Sequence, residues 1–186
     1  NTDNGCISSE MVPVQHDTLL PPAYAGADST LNCTAPEFHI GNPAAPVLPY
    51  LQYSWTGPGI VSGATGPAPL IDSAGVYNLL VVNTINGCFT ADAVQVNADF
   101  ALPLADSGDP FTLDCTAPDH TLNASASVGG VFAYHWSTDT GNFLSTPDTL
   151  NPLVNGGGNY YLTVTNTQNG CFATDSVLIG QSNNAP

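Results

Sequence analysis

The chain has 186 residues and no Lys or Arg beside 15 Asp and Glu, a formal net charge of −15. With no cationic side chains to displace condensed counterions, binding to nucleic acid or to an anionic lipid surface is excluded. An apolar share of 42% with a charged share of only 8% describes a globular chain rather than a disordered acidic tail, and no apolar run reaches the roughly 18 residues of a membrane span.

The first element in chain order stands alone. Asn-Thr-x-Asn-Gly-Cys occupies residues 1–6, 83–88 and 166–171, and the Asn-Gly pair supplies the positive φ of a tight hairpin before a closing strand. Only the second and third copies have a domain in front of them. Residues 1–14 are therefore expected to be an orphan strand, either donated to a neighbouring molecule or left by truncation. A start at Asn1 without an initiator Met fits processing or excision.

The spacing of the cysteines sets the domain plan. Cys6 to Cys88 is 82 residues, Cys88 to Cys171 is 83, and Cys33 to Cys115 is again 82, a repeat of the size of one immunoglobulin-type sandwich. The expected fold is all-β: two tandem immunoglobulin-like β-sandwich domains over 21–98 and 99–180, plus the N-terminal orphan strand and a tail over 181–186. In the first repeat, Leu31-Asn32-Cys33-Thr34-Ala35-Pro36 is followed by a strand predicted over 51–55 that carries Trp55. A Gly- and Pro-rich loop then fills 57–69, and strands are predicted over 76–82 and 89–96. The second repeat runs in parallel, from Leu113-Asp114-Cys115-Thr116-Ala117-Pro118 through a strand over 132–136 with Trp136, a loop over 138–152, and strands over 160–165 and 172–179. Alternation in the penultimate strand puts Tyr160, Leu162 and Val164 on one face and Tyr161, Thr163 and Thr165 on the other. Trp55 and Trp136, at equivalent strand positions, are expected in the two cores.

Within each repeat the two cysteines lie 55 or 56 residues apart, without the short Cys-x-x-Cys spacing of a zinc site. The expectation is an oxidising compartment with disulfides Cys33–Cys88 and Cys115–Cys171, each stabilising by about 4 kcal/mol in the chain-entropy model. Cys6 is left over, through truncation or for an intermolecular bond.

The succession Leu-x-Cys-Thr-x-Pro, Tyr-x-Trp, Gly-x-Tyr and Asn-Gly-Cys, closed by a Thr- and Asp-containing strand, resembles the tandem immunoglobulin-like or PKD-like repeats of Bacteroidota surface proteins. The resemblance implies an extracellular, cell-surface location and a structural or adhesive role. Five tripeptides of Asp, then Ser or Thr, then an aliphatic residue or Thr also resemble the O-glycosylation acceptor of exported proteins of that group, with Thr18, Ser29, Ser73, Thr149 and Ser176 as acceptors; Asn32 and Asn123 stand in Asn-x-Ser/Thr sequons.

No catalytic constellation emerges. His16, His39, His120 and His135 have no metal-ligand spacing, and no Gly-x-Ser-x-Gly elbow is present. No catalytic residue and no cofactor is expected; Asp99, Asp106 and Asp109 form the one oxygen-rich cluster that could hold calcium, set against its reading as a solvated acidic linker. Crowded carboxylates without cations are expected to have raised pKa values. The leading expectation is a structural subunit of an extracellular glycosylated filament. Such a homopolymer would assemble head to tail by donation of the N-terminal strand, with Cys6 available to bond the neighbour. The alternatives are a fragment of a long surface adhesin stalk, or a carbohydrate-binding module using exposed aromatic rings.

Overall fold

The computed structural model describes residues 4, 5, 7–124, 127 and 131–182; Cys6 and residues 183–186 of the expected tail lie outside them. Between residues 7 and 28 no strand forms. The first repeat then supplies β1 (Ser29–Asn32), β2 (Phe38–His39), β3 (Leu51–Thr56), β4 (Ile60–Ser62), β5 (Leu70–Ile71), β6 (Gly75–Asn83) and β7 (Phe89–Asp99). The second supplies β8 (Phe111–Leu113), β9 (His120–Thr121), β10 (Phe132–Thr138), β11 (Leu153–Val154), β12 (Gly158–Asn166) and β13 (Phe172–Gln181).

The repeats build the same sheet twice. One four-stranded sheet has the order β1-β7-β6-β3 and the other β10-β12-β13-β8; the smaller sheets are β2-β5-β4 and β11-β9. In both large sheets the short opening strand runs parallel to the closing one, β1 along β7 and β8 along β13. The longer strands pair antiparallel. This is the tandem immunoglobulin-like β-sandwich architecture that the repeat anticipates.

Alternation decides which side chains enter the cores. Tyr77, Leu79 and Val81 point inward from β6, and Tyr160, Leu162 and Val164 from β12, all essentially inaccessible to solvent. Trp55 and Trp136 are both buried, as their equivalent positions predict. Trp55 Nε1 donates to the carbonyl of Gly66 at 2.9 Å, whereas the buried Trp136 Nε1 has no hydrogen-bond acceptor among the described residues. The second core is tied to its loop by Tyr160. Its hydroxyl donates to Gly156 O at 2.7 Å and accepts from Asn142 N–H at 2.9 Å, and Gly141 lies so close that a Cβ there would collide with the same hydroxyl.

The chain parts into two compact units that cross the repeat boundary read from the sequence. The first holds 1–27, 39–71 and 76–94, and the second 28–38, 72–75 and 95–186. The Cys33 segment thus belongs to the same unit as Cys171.

Replacing Tyr160 by Phe removes the hydroxyl and leaves Gly156 O and Asn142 N–H unsatisfied. Urea unfolding should show a loss of about 1–3 kcal/mol with an unchanged m-value.

Candidate functional site

The expected disulfides are corrected by the structure. The bond joins Cys33 to Cys171, with 5.0 Å between the α-carbons and a sequence separation of 138, while Cys88 and Cys115 carry free thiols. The strand register supplies the reason. β1 pairs Asn32 with Asp99 at the last residue of β7, so Cys33 follows one end of an 11-residue strand whose other end is preceded by Cys88. At about 3.3 Å per residue the two are roughly 35 Å apart, whereas a disulfide needs α-carbons within about 7 Å. The same holds along β13, where Leu113 pairs with the terminal Gln181 and Cys171 precedes Phe172 at the opposite end. Pairing within a repeat is geometrically barred in both.

What Cys33 meets instead is the Asn-Gly-Cys turn at 169–171. Cys33 N–H donates to Asn169 O at 3.1 Å, and Asn169 Nδ2 donates to Asp99 Oδ1 and to Ala101 O, both at 3.0 Å. Asn169 Oδ1 in turn accepts from Cys171 N–H at 3.0 Å. Gly170 has φ +71°, and a Cβ on it would strike the methyl of Thr34. Glycine is thus required twice here, for the turn and for the close approach. The receiving segment is ordered by Asn32, whose Oδ1 accepts from Thr34 N–H at 3.0 Å, Thr34 Oγ1 at 2.7 Å and Ala35 N–H at 2.9 Å. Docking leaves Asn169 1% and Cys171 0% exposed.

Carboxylates take up backbone N–H groups throughout. Asp92 Oδ2 accepts from Ala25 N–H at 2.8 Å, and its repeat equivalent Asp175 accepts from Ser107 N–H and Oγ, both at 2.7 Å. The hydroxyl of Ser107, with help from its N–H, holds the Asp175 carboxyl below the usual range, and the Thr116 hydroxyl does the same for Asp114. At both residues this is opposite to the rise expected from like-charge crowding: local hydrogen bonds to the charged form outweigh the diffuse field.

The remaining candidates are scattered. Asp99 and Asp106 spend an oxygen each on Asn169 Nδ2 and on Gly108 N–H. Asp109 is exposed, and no three His, Cys, Asp or Glu converge as a metal-ligand set among the described residues. His39 Nδ1 lies 3.0 Å from Ala68 O. His120 stacks on Phe111 with burial pushing its pKa down, and His135 forms an exposed pair with Asp148 at 2.7 Å. Among the glycosylation candidates, Thr18, Ser176 and Asn123 are exposed, whereas Ser29, Asn32, Ser73 and Thr149 are half-buried. The Ser73 and Thr149 hydroxyls donate to Asp72 Oδ1 and Thr146 O. The joint itself was missed from sequence, although its mark was there: the same two cysteine motifs recur at one period in every repeat.

No family model matches the chain, and no curated protein does. Among solved structures it is similar to the PKD domain of the KIAA 1837 protein, at 18% identity over 47% of this chain and 96% of that one with a TM-score of 0.36. It is also similar to an I-band fragment of titin, at 10% identity over 84% of this chain and 62% of that one with a TM-score of 0.41. A third likeness is to a SusE-like surface-located polysaccharide-binding protein of Bacteroides thetaiotaomicron, at 12% identity over 87% of this chain and 34% of that one with a TM-score of 0.41. The chain thus spans about a third of that protein's length.

Two outcomes are expected. Non-reducing peptide mapping should recover Cys33 linked to Cys171, and the double variant Cys33→Ser, Cys171→Ser should lose about 2–5 kcal/mol in chemical unfolding. Because the folded pKa of Asp175 is depressed, its contribution is complete above the unfolded carboxyl pKa near 3.9. It is lost as pH falls through the lower folded value. Stability of Asp175→Asn should therefore fall less steeply than wild type below about pH 4, read as midpoint denaturant concentration against pH.

Proposed function

We propose that the chain is a structural, non-catalytic segment of an extracellular surface assembly, in which successive repeats are held in register by covalent and backbone contacts. The observation that carries this reading is the Cys33–Cys171 bond, which ties the opening of one sequence repeat to the closing hairpin of the next. A disulfide belongs to an oxidising compartment, and a joint built from recurrent motifs suits a chain whose task is continuity. The two Trp side chains are core residues, so they offer no platform for stacking sugars, and the histidines and carboxylates gather at no single cleft.

The finer form of the proposal is a glycosylated filament of this chain, assembled head to tail, with the N-terminal strand given to the adjacent subunit and Cys6 available for a bond between subunits. Its support is the exposure of Ile7, Met11, Val12 and Val14, at 96%, 95%, 77% and 88%. A segment with that much apolar surface and the pattern of a closing strand is suited to pairing with another sheet. Thr18 and Ser176 are the most accessible of the O-linked acceptors.

A second reading, a segment of a longer surface stalk, is favoured by one observation. Both large sheets already contain their closing strand, β7 and β13, so a donated strand would have to add along an edge strand, β1 or β3 of one sheet or β8 or β10 of the other. Under the stalk reading residues 7–14, which form no strand here, would pair as one within their own polypeptide.

Negative-stain electron microscopy of the purified chain separates the two. Fibres that disappear on deletion of residues 1–14, with the circular dichroism of the domains retained, are the filament outcome; monomeric particles with and without those residues are the stalk outcome. Material isolated from its source should have an intact mass above that of the bare polypeptide, reduced by the substitution Ser176→Ala.

A further inference from the structure

The Cys33–Cys171 joint has a receiving half and an inserted half, and the chain holds a second example of each. The second receiving half is Leu113-Asp114-Cys115-Thr116-Ala117-Pro118. Asp114 Oδ1 accepts from Thr116 N–H at 2.7 Å, Thr116 Oγ1 at 2.6 Å and Ala117 N–H at 2.9 Å, reproducing the Asn32 geometry group for group. β8 runs parallel to β13 as β1 does to β7, so Cys115 stands at the end of its sheet where Cys33 stands at the end of the first. A cavity of about 270 Å³ lies there, lined by Leu113, Asp114, Cys115, Pro118, Gln181 and Ser182. Ser182 follows the register pair Leu113–Gln181 and takes the place of Asp99, with a hydroxyl oxygen able to accept from an Asn side chain.

The second inserted half is the turn at 86–88. Cys88 N–H donates to Asn86 Oδ1 at 2.9 Å, Gly87 N–H to Asn83 O at 2.8 Å, and Asn83 N–H to Cys88 O at 2.8 Å; each of these bonds has its equivalent in the 169–171 turn. Asn86 Nδ2 donates to Leu19 O at 3.0 Å as Asn169 Nδ2 does to Ala101 O. The difference is burial. Asn86 and Cys88 are half-buried where Asn169 and Cys171 are covered, and Gly87, with φ +74°, has nothing within 4 Å of its Cβ direction where Gly170 rests on Thr34.

We propose that the Cys115 site receives the Asn86-Gly87-Cys88 turn of a second copy of this chain and is closed by a Cys115–Cys88 disulfide. The occupant is identified by the joint already formed within the chain, whose two halves are the repeat equivalents of these two. Closure removes two protons and two electrons from the paired thiols; a small-molecule disulfide such as oxidised glutathione accepts them and is reduced to two thiols. Each copy offers the Cys115 site and the 86–88 turn, which are different parts of the chain, so the contact is heterologous and propagates. The inference rests on the reading of the chain as part of a repeating assembly and names the chemistry of its joint.

The test uses the full chain, concentrated in a glutathione redox buffer and mapped by non-reducing electrophoresis and mass spectrometry. The expected result is a ladder of covalent oligomers containing a Cys115–Cys88 peptide. Cys115→Ser and Cys88→Ser should each abolish the ladder while keeping the Cys33–Cys171 peptide and the wild-type circular dichroism. A mixture of the two variants should stop at a dimer. Cys115 that stays fully alkylatable, or that maps to Cys6, overturns the proposal. Fibres by microscopy with Cys115 alkylatable would remove the joint and leave the filament; a mapped ladder of short oligomers without fibres would keep the joint and remove the filament.

Discussion

The parallel pairing of β1 with the end of β7 is the constraint on which the architecture turns. Four residues in that register, Ser29 opposite Val96 through Asn32 opposite Asp99, carry Cys33 to the end of the strand away from Cys88. Every later feature of the joint follows from that displacement. A cysteine placed at mid-strand could face a partner across its own sandwich, as immunoglobulin domains arrange it. One placed beyond the strand end faces outward from its own core, and the nearest Asn-Gly-Cys turn belongs to the other repeat.

Much of the fold was legible because it is written in local pattern. The alternation at Tyr160, Leu162 and Val164, the Asn-Gly turns, and the equivalence of Trp55 and Trp136 each have a physical reading within a few residues, and the structure agrees at each. The disulfide partner was not legible in this way. Spacing shows that the cysteines recur, but two connectivities have the same period: within a repeat, or from one repeat to the next. Choosing between them needs the direction and register of a four-residue strand whose partner lies about 67 residues away, and a strand that short has no periodicity of its own. The parallel sense of β1 was the missing piece.

The absence of Lys and Arg has a structural answer that composition does not show. Carboxylates in this chain are satisfied largely by peptide N–H groups: Asp92 by Ala25, Asp28 by Gln95, Asp175 by Ser107, Asp114 by Thr116 and Ala117. Such charge-assisted bonds are stronger than neutral ones. They act at the places where a loop enters or leaves a sheet, so the acidic residues order connections that ion pairs order elsewhere. The depressed pKa of Asp175 and Asp114, caused first by the Ser107 and Thr116 hydroxyls and then by these N–H groups, is the electrostatic trace of that role.

The Cys33–Cys171 bond also decides how the chain answers tension. Force entering before Cys33 and leaving after Cys171 crosses the loop between them through two sulfur atoms. With a separation of 138 residues and about 3.3 Å of contour per residue, roughly 450 Å of polypeptide is withheld from extension. The polypeptide inside that loop cannot be drawn out until the covalent link is reduced, although β1 and β13, outside it, pass load to the strands they pair with. A thiol reductant would thus act on this protein as a release of slack.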